Sequence, residues 1–332
     1  MKKNLGVAEM RTGRLFECRK NWGGKKVLSL LTLIFMISVI FGLSGCTKKS
    51  AAASGIPQKI ICLSPAGTEI LFAIGAQDQV IAVSEFSDYP PEALEKTVIG
   101  GFDGKSISLE KILAMQPDFV YLTDGMHNFM IPQLETYNIR YYLSNASSIA
   151  AIKKEITELG EITGHSKEAA KVVEEMNRAE EEASQVAKAR SVSATSAGGK
   201  DAAPLEESSV LENSSPRVYY EVWANPYMTA GTSSFINDII TAAGGSNIFS
   251  DLTENYPLIS EETIIARNPE FIFIPITSGI TKEQVAARNG WSQIDAVKNG
   301  RIILIDDNVY TRSGPRVTNC IKEMSEIFAK NN

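Results

Sequence analysis

Six aromatic residues lie in segments that connect predicted strands and helices, where their side chains could contact a ligand. They are Phe86, Tyr89, Phe102, Trp223, Tyr227 and Tyr256. Flat aromatic side chains bury a wide apolar molecule with little loss of conformational entropy. Packing within a loop would explain any one of them, so the prediction of a binding site depends on the whole set.

Polar candidates for the same site are few. Ser64 and Pro65 end a predicted strand, and loops at the carboxyl ends of strands face the crevice of open α/β sheets. Thr68 is expected to cap the helix that follows. His127 could ligate a transition metal through a ring nitrogen, although a lone histidine is more often not a ligand. Arg312 could pair with a ligand carboxylate or phosphate, or form a structural salt bridge.

The sequence contains no set of residues typical of catalysis or of a resident metal. A Gly-rich phosphate loop, an HExxH motif and a Ser/His/Asp set are absent, and there are only two histidines. Cys62 and Cys320 lie in apolar segments without a CxxC pair, which indicates buried thiols rather than a disulfide framework or zinc site. We expect no catalytic residue, no metal site and no cofactor.

The N-terminal segment has the features of an export signal. Lys25 and Lys26 precede an apolar run at 27–43, and small residues follow it. A transmembrane helix that remains in place is the alternative, since the run is near the lower limit for spanning, about 17 residues. The ending Leu43-Ser44-Gly45-Cys46 resembles the lipobox of bacterial lipoproteins, which implies lipidation of Cys46 after cleavage.

We therefore predict a signal peptide at 1–45, a flexible tether at 46–56 and an extracytoplasmic chain anchored to the cell membrane through Cys46. Residues 1–45 contain eight Lys/Arg and two Asp/Glu, and their removal leaves 25 basic and 37 acidic residues, a net charge of −12. An acidic body argues against nucleic-acid binding, which requires a basic surface.

Short apolar runs alternate with amphipathic patterns in both halves of the remaining chain. Predicted strands span 59–63, 80–83, 119–122, 140–143, 218–222, 271–275 and 302–305. Predicted helices span 68–74, 109–115, 130–137, 233–243, 260–267, 282–288, 291–297 and 315–328. This alternation predicts βαβ units, and hence an α/β fold with mainly parallel sheets.

A long helical pattern separates the two halves. Apolar residues recur at three- and four-residue steps over 147–189, which predicts one long helix, or two with a bend at Gly164. Residues 190–216 are rich in Ser, Ala, Gly and Glu, a composition that predicts a disordered insert. We therefore predict an N-terminal lobe at 57–146, a C-terminal lobe at 217–332 and a cleft between them.

Several motifs, in their order and spacing, resemble the cobalamin and iron-complex solute-binding proteins of ABC importers. They include Leu63-Ser64-Pro65-Ala66-Gly67-Thr68-Glu69 and Ser84-Glu85-Phe86-Ser87-Asp88-Tyr89-Pro90-Pro91, then Asn225-Pro226-Tyr227 and Gly244-Gly245-Ser246-Asn247-Ile248-Phe249. The resemblance covers about residues 57–332 outside the insert, and is greatest to the cobalamin-binding branch. It implies two Rossmann-like lobes joined by a single long α-helix, the class III solute-binding architecture.

The resemblance implies that the chain binds cobalamin or a related corrinoid in the cleft and delivers it, as a monomer, to a permease dimer with its ATPase subunits. Phe86, Phe102 and Tyr256 fall on family positions where aromatics contact the ligand, and Trp223 matches to within one residue. Thr123 stands where the cobalamin branch has an aromatic. An iron–siderophore or haem ligand, a chelatase-like enzyme and a surface adhesin are the alternatives.

Glu110 and Glu262 each begin a predicted helix, one in each half, within Ser-Leu-Glu and Ser-Glu-Glu. Helix capping and the helix dipole would explain both acids. By the resemblance they also project from the two lobes and dock onto arginines of the permease. Two like charges at a fixed separation suit a symmetric dimeric partner.

Overall fold

The computed structural model describes residues 55–101, 105–197 and 215–331, all within one unit that starts at Ala52. The predicted signal peptide, the anchor Cys46, Phe102 and most of the predicted insert lie outside these residues. Within the described ranges, no helix combines the length and the apolar character that crossing a bilayer requires.

A parallel sheet of five strands forms the centre of the N-terminal lobe. The strands are β1 (Ile60–Cys62), β2 (Val80–Val83), β3 (Thr97–Val98), β4 (Phe119–Thr123) and β5 (Arg140–Ser144). Their order is β3-β2-β1-β4-β5, and every neighbouring pair is parallel. The strand order reverses between β1 and β4, which is where open α/β sheets place a ligand crevice.

Three helices accompany this sheet: α1 (Pro65–Ala73), α2 (Leu109–Ala114) and α3 (Ile131–Thr136). Ser64 caps α1 by accepting a hydrogen bond from the Gly67 N–H, and Pro65 takes the first helical position, where its missing N–H is not needed. The prediction that Thr68 is the cap is wrong. Thr68 lies one turn inside α1, and its hydroxyl donates to the carbonyl of Ser64 at 2.9 Å.

Two helices, not one, follow the N-terminal lobe: α4 (Ile149–Thr163) and α5 (Ser166–Ala197). Gly164 separates them in the left-handed conformation, with φ of 80°. The chain passes to the C-terminal lobe through α5: His165 just before its start lies beside Gly75, and Ala187 near its end packs against Gly244. It continues to Ala197, beyond the predicted limit at 189 and into the segment that we expected to be disordered.

The C-terminal lobe repeats the α/β plan with a mixed sheet. Its strands are β6 (Arg217–Ala224), β7 (Tyr227–Thr229), β8 (Ser246–Asn247), β9 (Phe271–Pro275) and β10 (Ile302–Ile305). The order is β10-β9-β6-β7, and β8 also pairs with β6. Only β7 is antiparallel to β6. The helices are α6 (Phe235–Ala242), α7 (Glu261–Arg267), α8 (Lys282–Ala286), α9 (Asp295–Lys298), α10 (Asp307–Tyr310) and α11 (Val317–Lys330).

The two lobes share one apolar core. Buried side chains form a continuous cluster from Ile60 in β1, through Ile156 in α4 and Met176 in α5, to Phe328 in α11. Two smaller clusters lie on the other face of each sheet. Because interiors are close-packed and resist deformation, a shared core limits how far the lobes can move apart.

Gly160 allows α4 and α5 to pack closely, since a Cβ at this position would overlap the Cβ of Ala169. Gly160→Ala should lower the free energy of unfolding by ~1–3 kcal/mol through overpacking, even though alanine favours a helix by about 1 kcal/mol. Urea denaturation measures the change.

Two further variants make this test specific. Gly160→Ala with Ala169→Gly should recover part of the loss, because the second change restores the space. Gly55→Ala, where a Cβ would meet no atom within 4 Å, should be neutral. A Gly160→Ala chain as stable as the wild type would show that the helices can separate freely.

Candidate functional site

A cavity of about 190 Å³ opens between the lobes. The N-terminal lobe contributes Ser64, Thr123 and Ser144, each at the carboxyl end of a strand, and the C-terminal lobe contributes Asn255 and Tyr256, among others. The cavity therefore lies at the reversal of strand order between β1 and β4, as the crevice rule predicts. Most of its side chains are neutral and polar.

A second cavity, of about 380 Å³, lies at the carboxyl ends of the C-terminal strands. Trp223 near the end of β6, Pro275 at the end of β9 and Asp307 after β10 line it. The indole N–H of Trp223 donates to the carbonyl of Asn225 at 3.0 Å, which orients the ring. Each lobe thus presents a cavity at the sheet edge where binding loops are expected.

Four of the predicted aromatic residues are exposed in these loops: Phe86, Tyr89, Trp223 and Tyr256. The exposed fraction is 42% for Phe86, 40% for Tyr256 and 61% for Trp223. Tyr256 lines the inter-lobe cavity and Trp223 lines the second one. Phe86 lies where the lobes meet, because its carbonyl accepts a hydrogen bond from Arg312 at 3.1 Å.

Like Phe86, the other two described aromatics, Tyr89 and Tyr227, line neither cavity. Tyr89 borders a separate depression along α1, and the guanidinium of Arg316 stacks 4.1 Å from its ring centroid. Tyr227 is half-buried against Trp291, and its hydroxyl donates to Glu261 at 3.1 Å. β7 directs the ring of Tyr227 into the packing of its own lobe, and its contact with a ligand stays a prediction.

The loop that carries His127 borders the inter-lobe cavity through Thr123 and Asp124, but His127 itself is buried and does not line the cavity. Its Nδ1 accepts a hydrogen bond from the Thr123 N–H at 2.9 Å, and the turn after β4 folds the ring back onto the protein. Burial lowers the pKa of His127 to about 4, so the imidazole is neutral at pH 7. Pro65 is buried as well, and its role is to begin α1.

A buried carboxylate supports the base of the inter-lobe cavity. The hydroxyl of Ser144 donates to Glu155 at 2.6 Å, and the hydroxyl of Tyr121 donates to the other carboxylate oxygen. Burial raises the pKa of Glu155. This network holds the end of β5 in place, where residues 144–147 line the cavity.

Arg312 lies at a junction of charged side chains between the lobes and does not point freely into the cleft. It contacts Asp88 at 2.6 Å and Glu69 at 3.2 Å. Arg316 donates to both oxygens of Glu69, at 2.9 and 2.5 Å. Partial burial by itself would raise the pKa of Asp88, but the adjacent Arg312 guanidinium lowers it overall. Of the two roles predicted for Arg312, the structure displays the salt bridge.

Glu110 and Glu262 are exposed in the first turns of α2 and α7. Ser108 and Ser260 cap the two helices by accepting hydrogen bonds from backbone N–H groups at 3.2 Å. A hydrogen bond from its own backbone N–H, then one involving Ser260, lowers the pKa of Glu262. The capping role is present in both lobes, and both carboxylates remain accessible; docking stays a prediction.

Several residues that line the inter-lobe cavity are not among the predicted site residues. Asn145 and Ser147 follow β5, and Ser234, Asn255 and Ser313 come from C-terminal loops. The rule that loops after parallel strands face the crevice would have found the first two. The described residues contain no group of three His, Cys, Asp or Glu side chains arranged to hold a metal ion.

Comparisons with known proteins agree with this geometry. The family profile described as periplasmic binding protein matches residues 60–309. An uncharacterized ABC transporter substrate-binding lipoprotein of Bacillus subtilis (strain 168) is 30% identical over 275 residues, covering 81% of this chain and 79% of that protein. A vitamin B12-binding protein of Pectobacterium carotovorum is 28% identical over 277 residues, covering 83% of this chain and 88% of that protein.

Solved structures share the fold. A periplasmic vitamin B12-binding protein of Vibrio cholerae superposes with a TM-score of 0.64 at 23% identity, covering 83% of this chain and 98% of that chain. A periplasmic heme-binding protein from Pseudomonas aeruginosa superposes with a TM-score of 0.66 at 18% identity, covering 83% of this chain and 94% of that chain. The predicted fold class and family are confirmed. The match over residues 60–309, together with the identity to the Bacillus relative, shows that this chain belongs to the periplasmic binding protein family.

Proposed function

We propose that the chain binds cobalamin or a related corrinoid between its lobes and delivers it to an ABC importer. The observation that carries the proposal is the exposure of Trp223 and Tyr256 within the two cavities. Soluble proteins rarely leave large apolar surfaces in a concave site unless a ligand covers them. Relatives described as vitamin B12-binding proteins support the choice of ligand.

The protein captures its ligand without chemical change. The family is one of binding proteins, and the histidine at the cleft, His127, is buried and neutral at pH 7. The shared core and the ion pairs at Glu69 hold the lobes at a nearly fixed separation. We therefore expect closure on the ligand to be small, unlike that of hinged binding proteins.

The chain acts at the outer face of the cell membrane. Lipidation of Cys46 anchors it there, with the segment up to residue 56 as a tether. The loaded protein docks as a monomer on a permease dimer with its ATPase subunits. Glu110 and Glu262, exposed once in each lobe, provide the paired negative charges that a two-fold partner can read.

Titration of the detergent-solubilised full chain with cyanocobalamin should give saturable heat in a calorimeter. Tyr256→Ala should weaken binding about tenfold, ~1.4 kcal/mol, because it removes an aromatic surface that contacts the ligand. Tyr137→Ala is the matched control, since Tyr137 is 57% exposed but lines neither cavity. Binding of haemin or a ferric siderophore, with none of cyanocobalamin, would contradict the proposed ligand.

The docking surface can be tested separately from ligand capture. Glu110→Ala combined with Glu262→Ala should abolish cobalamin uptake by cells that depend on this protein, because the permease arginines lose both partners. Ligand affinity in the calorimeter should stay unchanged, since both acids lie outside the cavities.

Glu92→Ala combined with Glu283→Ala is the matched control for docking. These acids are also exposed, lie in first helical turns and occur once in each lobe. Uptake should persist in this control. Normal uptake by the Glu110/Glu262 double variant would exclude these two acids as the docking surface.

A further inference from the structure

Both arginines at the junction between the lobes are occupied by acids of the opposite lobe. Glu69 and Asp88 belong to the N-terminal lobe, and Arg312 and Arg316 follow α10 in the C-terminal lobe. Two positive and two negative charges cancel. Arg312 also donates to the carbonyl of Phe86 at 3.1 Å, and Arg316 to that of Asn308 at 3.5 Å.

The ion pairs of Arg312 and Arg316 with Glu69 are buried and hard to break, whereas Asp88 is 55% exposed. The side chains of Arg312, Arg316 and Glu69 are 11%, 17% and 2% exposed. A ligand anion that displaced Arg312 from these contacts would leave Glu69 and Asp88 with fewer partners. Removing one partner of a buried ion pair is strongly unfavourable, since it leaves a desolvated charge uncompensated.

The charged residues that line the two cavities are acidic. Asp124 lines the inter-lobe cavity, and Glu221 and Asp307 line the second one. Arg288 already neutralises Glu221 through two contacts, at 2.6 and 2.9 Å. Among the described residues, no lysine or arginine lines either cavity. The local potential is therefore negative, and concave sites concentrate such a potential.

The other lining groups of the inter-lobe cavity suit neutral amides. Asn145 and Asn255 carry carboxamides, and Ser147 and Ser234 carry hydroxyls. Such groups both donate and accept hydrogen bonds, as primary amides do. Carboxylates and catecholates, in contrast, would lose hydration here without gaining a cationic partner.

We propose that the cleft selects neutral or cationic corrinoids with amide side chains and rejects ligands that carry carboxylate or catecholate charge. This selectivity rests on the proposed function, because it specifies the ligand class of the same site. Arg312 determines this charge selectivity because its side chain is held in the junction between the lobes, where it does not pair with a ligand anion. Ligands with propionate or catecholate groups, such as haem and ferric tris-catecholates, are excluded by charge.

A pair of ligands that differ by one charge tests the selectivity. In cyanocobalamin monocarboxylate, one peripheral amide is replaced by a carboxylate on the same ring. The full chain should bind it about tenfold more weakly than cyanocobalamin, ~1.4 kcal/mol, and the difference should shrink as salt screens the cavity. Equal or tighter binding of the carboxylate, or tight binding of haemin or a ferric tris-catecholate, would overturn the proposal.

Removing an acid that pairs with Arg312 should reduce the preference for cyanocobalamin over its monocarboxylate. Asp88→Asn removes an acid that is 55% exposed and 2.6 Å from Arg312, so the variant should bind the monocarboxylate several-fold more tightly while cyanocobalamin affinity is retained. Asp251→Asn is the control, since Asp251 is 59% exposed and pairs with Arg267 away from both cavities. An unchanged preference in Asp88→Asn would refute the role of Arg312.

Fluorescence quenching tests the cavity charge without any corrinoid. Trp223 is 61% exposed and Trp291 is buried, and subtracting the signal of Trp223→Phe isolates Trp223. Caesium ions should quench it more than iodide, relative to free N-acetyltryptophanamide. Preferential iodide quenching would overturn the charge selectivity. Failure of cyanocobalamin to bind, with caesium preferred, would instead refute the proposed function, and only the negative potential of the cavity would remain supported.

Discussion

The carboxylate of Glu69 is the interaction on which the arrangement of the two lobes depends. It lies 2% exposed in α1 and receives hydrogen bonds from both Arg312 and Arg316 of the opposite lobe. A desolvated carboxylate needs these partners, because an unpaired buried charge is far less stable than a hydrated one. The ion pairs thus resist separation of the lobes, and they fix the position of the segment that carries Ser313 in the inter-lobe cavity.

The same ion pairs affect what the cleft can bind. Arginines at the edge of a binding site usually favour anionic ligands. Here their charge is cancelled within the protein, so the lining is left with hydroxyls, carboxamides and a few acids. The fixed arrangement of the lobes and the charge preference for ligands are therefore two consequences of one set of contacts. A change at Asp88 would affect the charge preference more than the arrangement of the lobes.

Helix caps position the other functional groups. Ser64 caps α1 at the carboxyl end of β1, so one residue both begins a helix and lines the cavity. Ser108 and Ser260 cap α2 and α7, and the following acids remain exposed in each lobe. Each cap satisfies backbone N–H groups that the helix leaves unpaired. Local capping chemistry thus sets the start of each helix at the surface where ligand and partner are expected to bind.

Much of the fold could be predicted because local patterns determine it. The runs that became β2, β9 and β10 are apolar and closely bounded by turn residues, and their predicted limits agree with the structure. The strands β3, β7 and β8 were not predicted, since two or three residues are too few to show a period. The helix α5 extends to Ala197 although its last residues have a loop-like composition, which local propensity could not foresee.

Some features of the candidate site also follow from local sequence, whereas others follow only from the tertiary structure. The sequence by itself determined the residue types, the family motifs and the caps, because these depend on neighbours within a few positions. Only the tertiary structure decided that His127 is buried, that Tyr227 packs inside its lobe and that Arg312 meets Glu69, 243 positions away in the chain. Such contacts arise when distant segments are brought together, and neither composition nor periodicity specifies which charged side chains will then be neighbours.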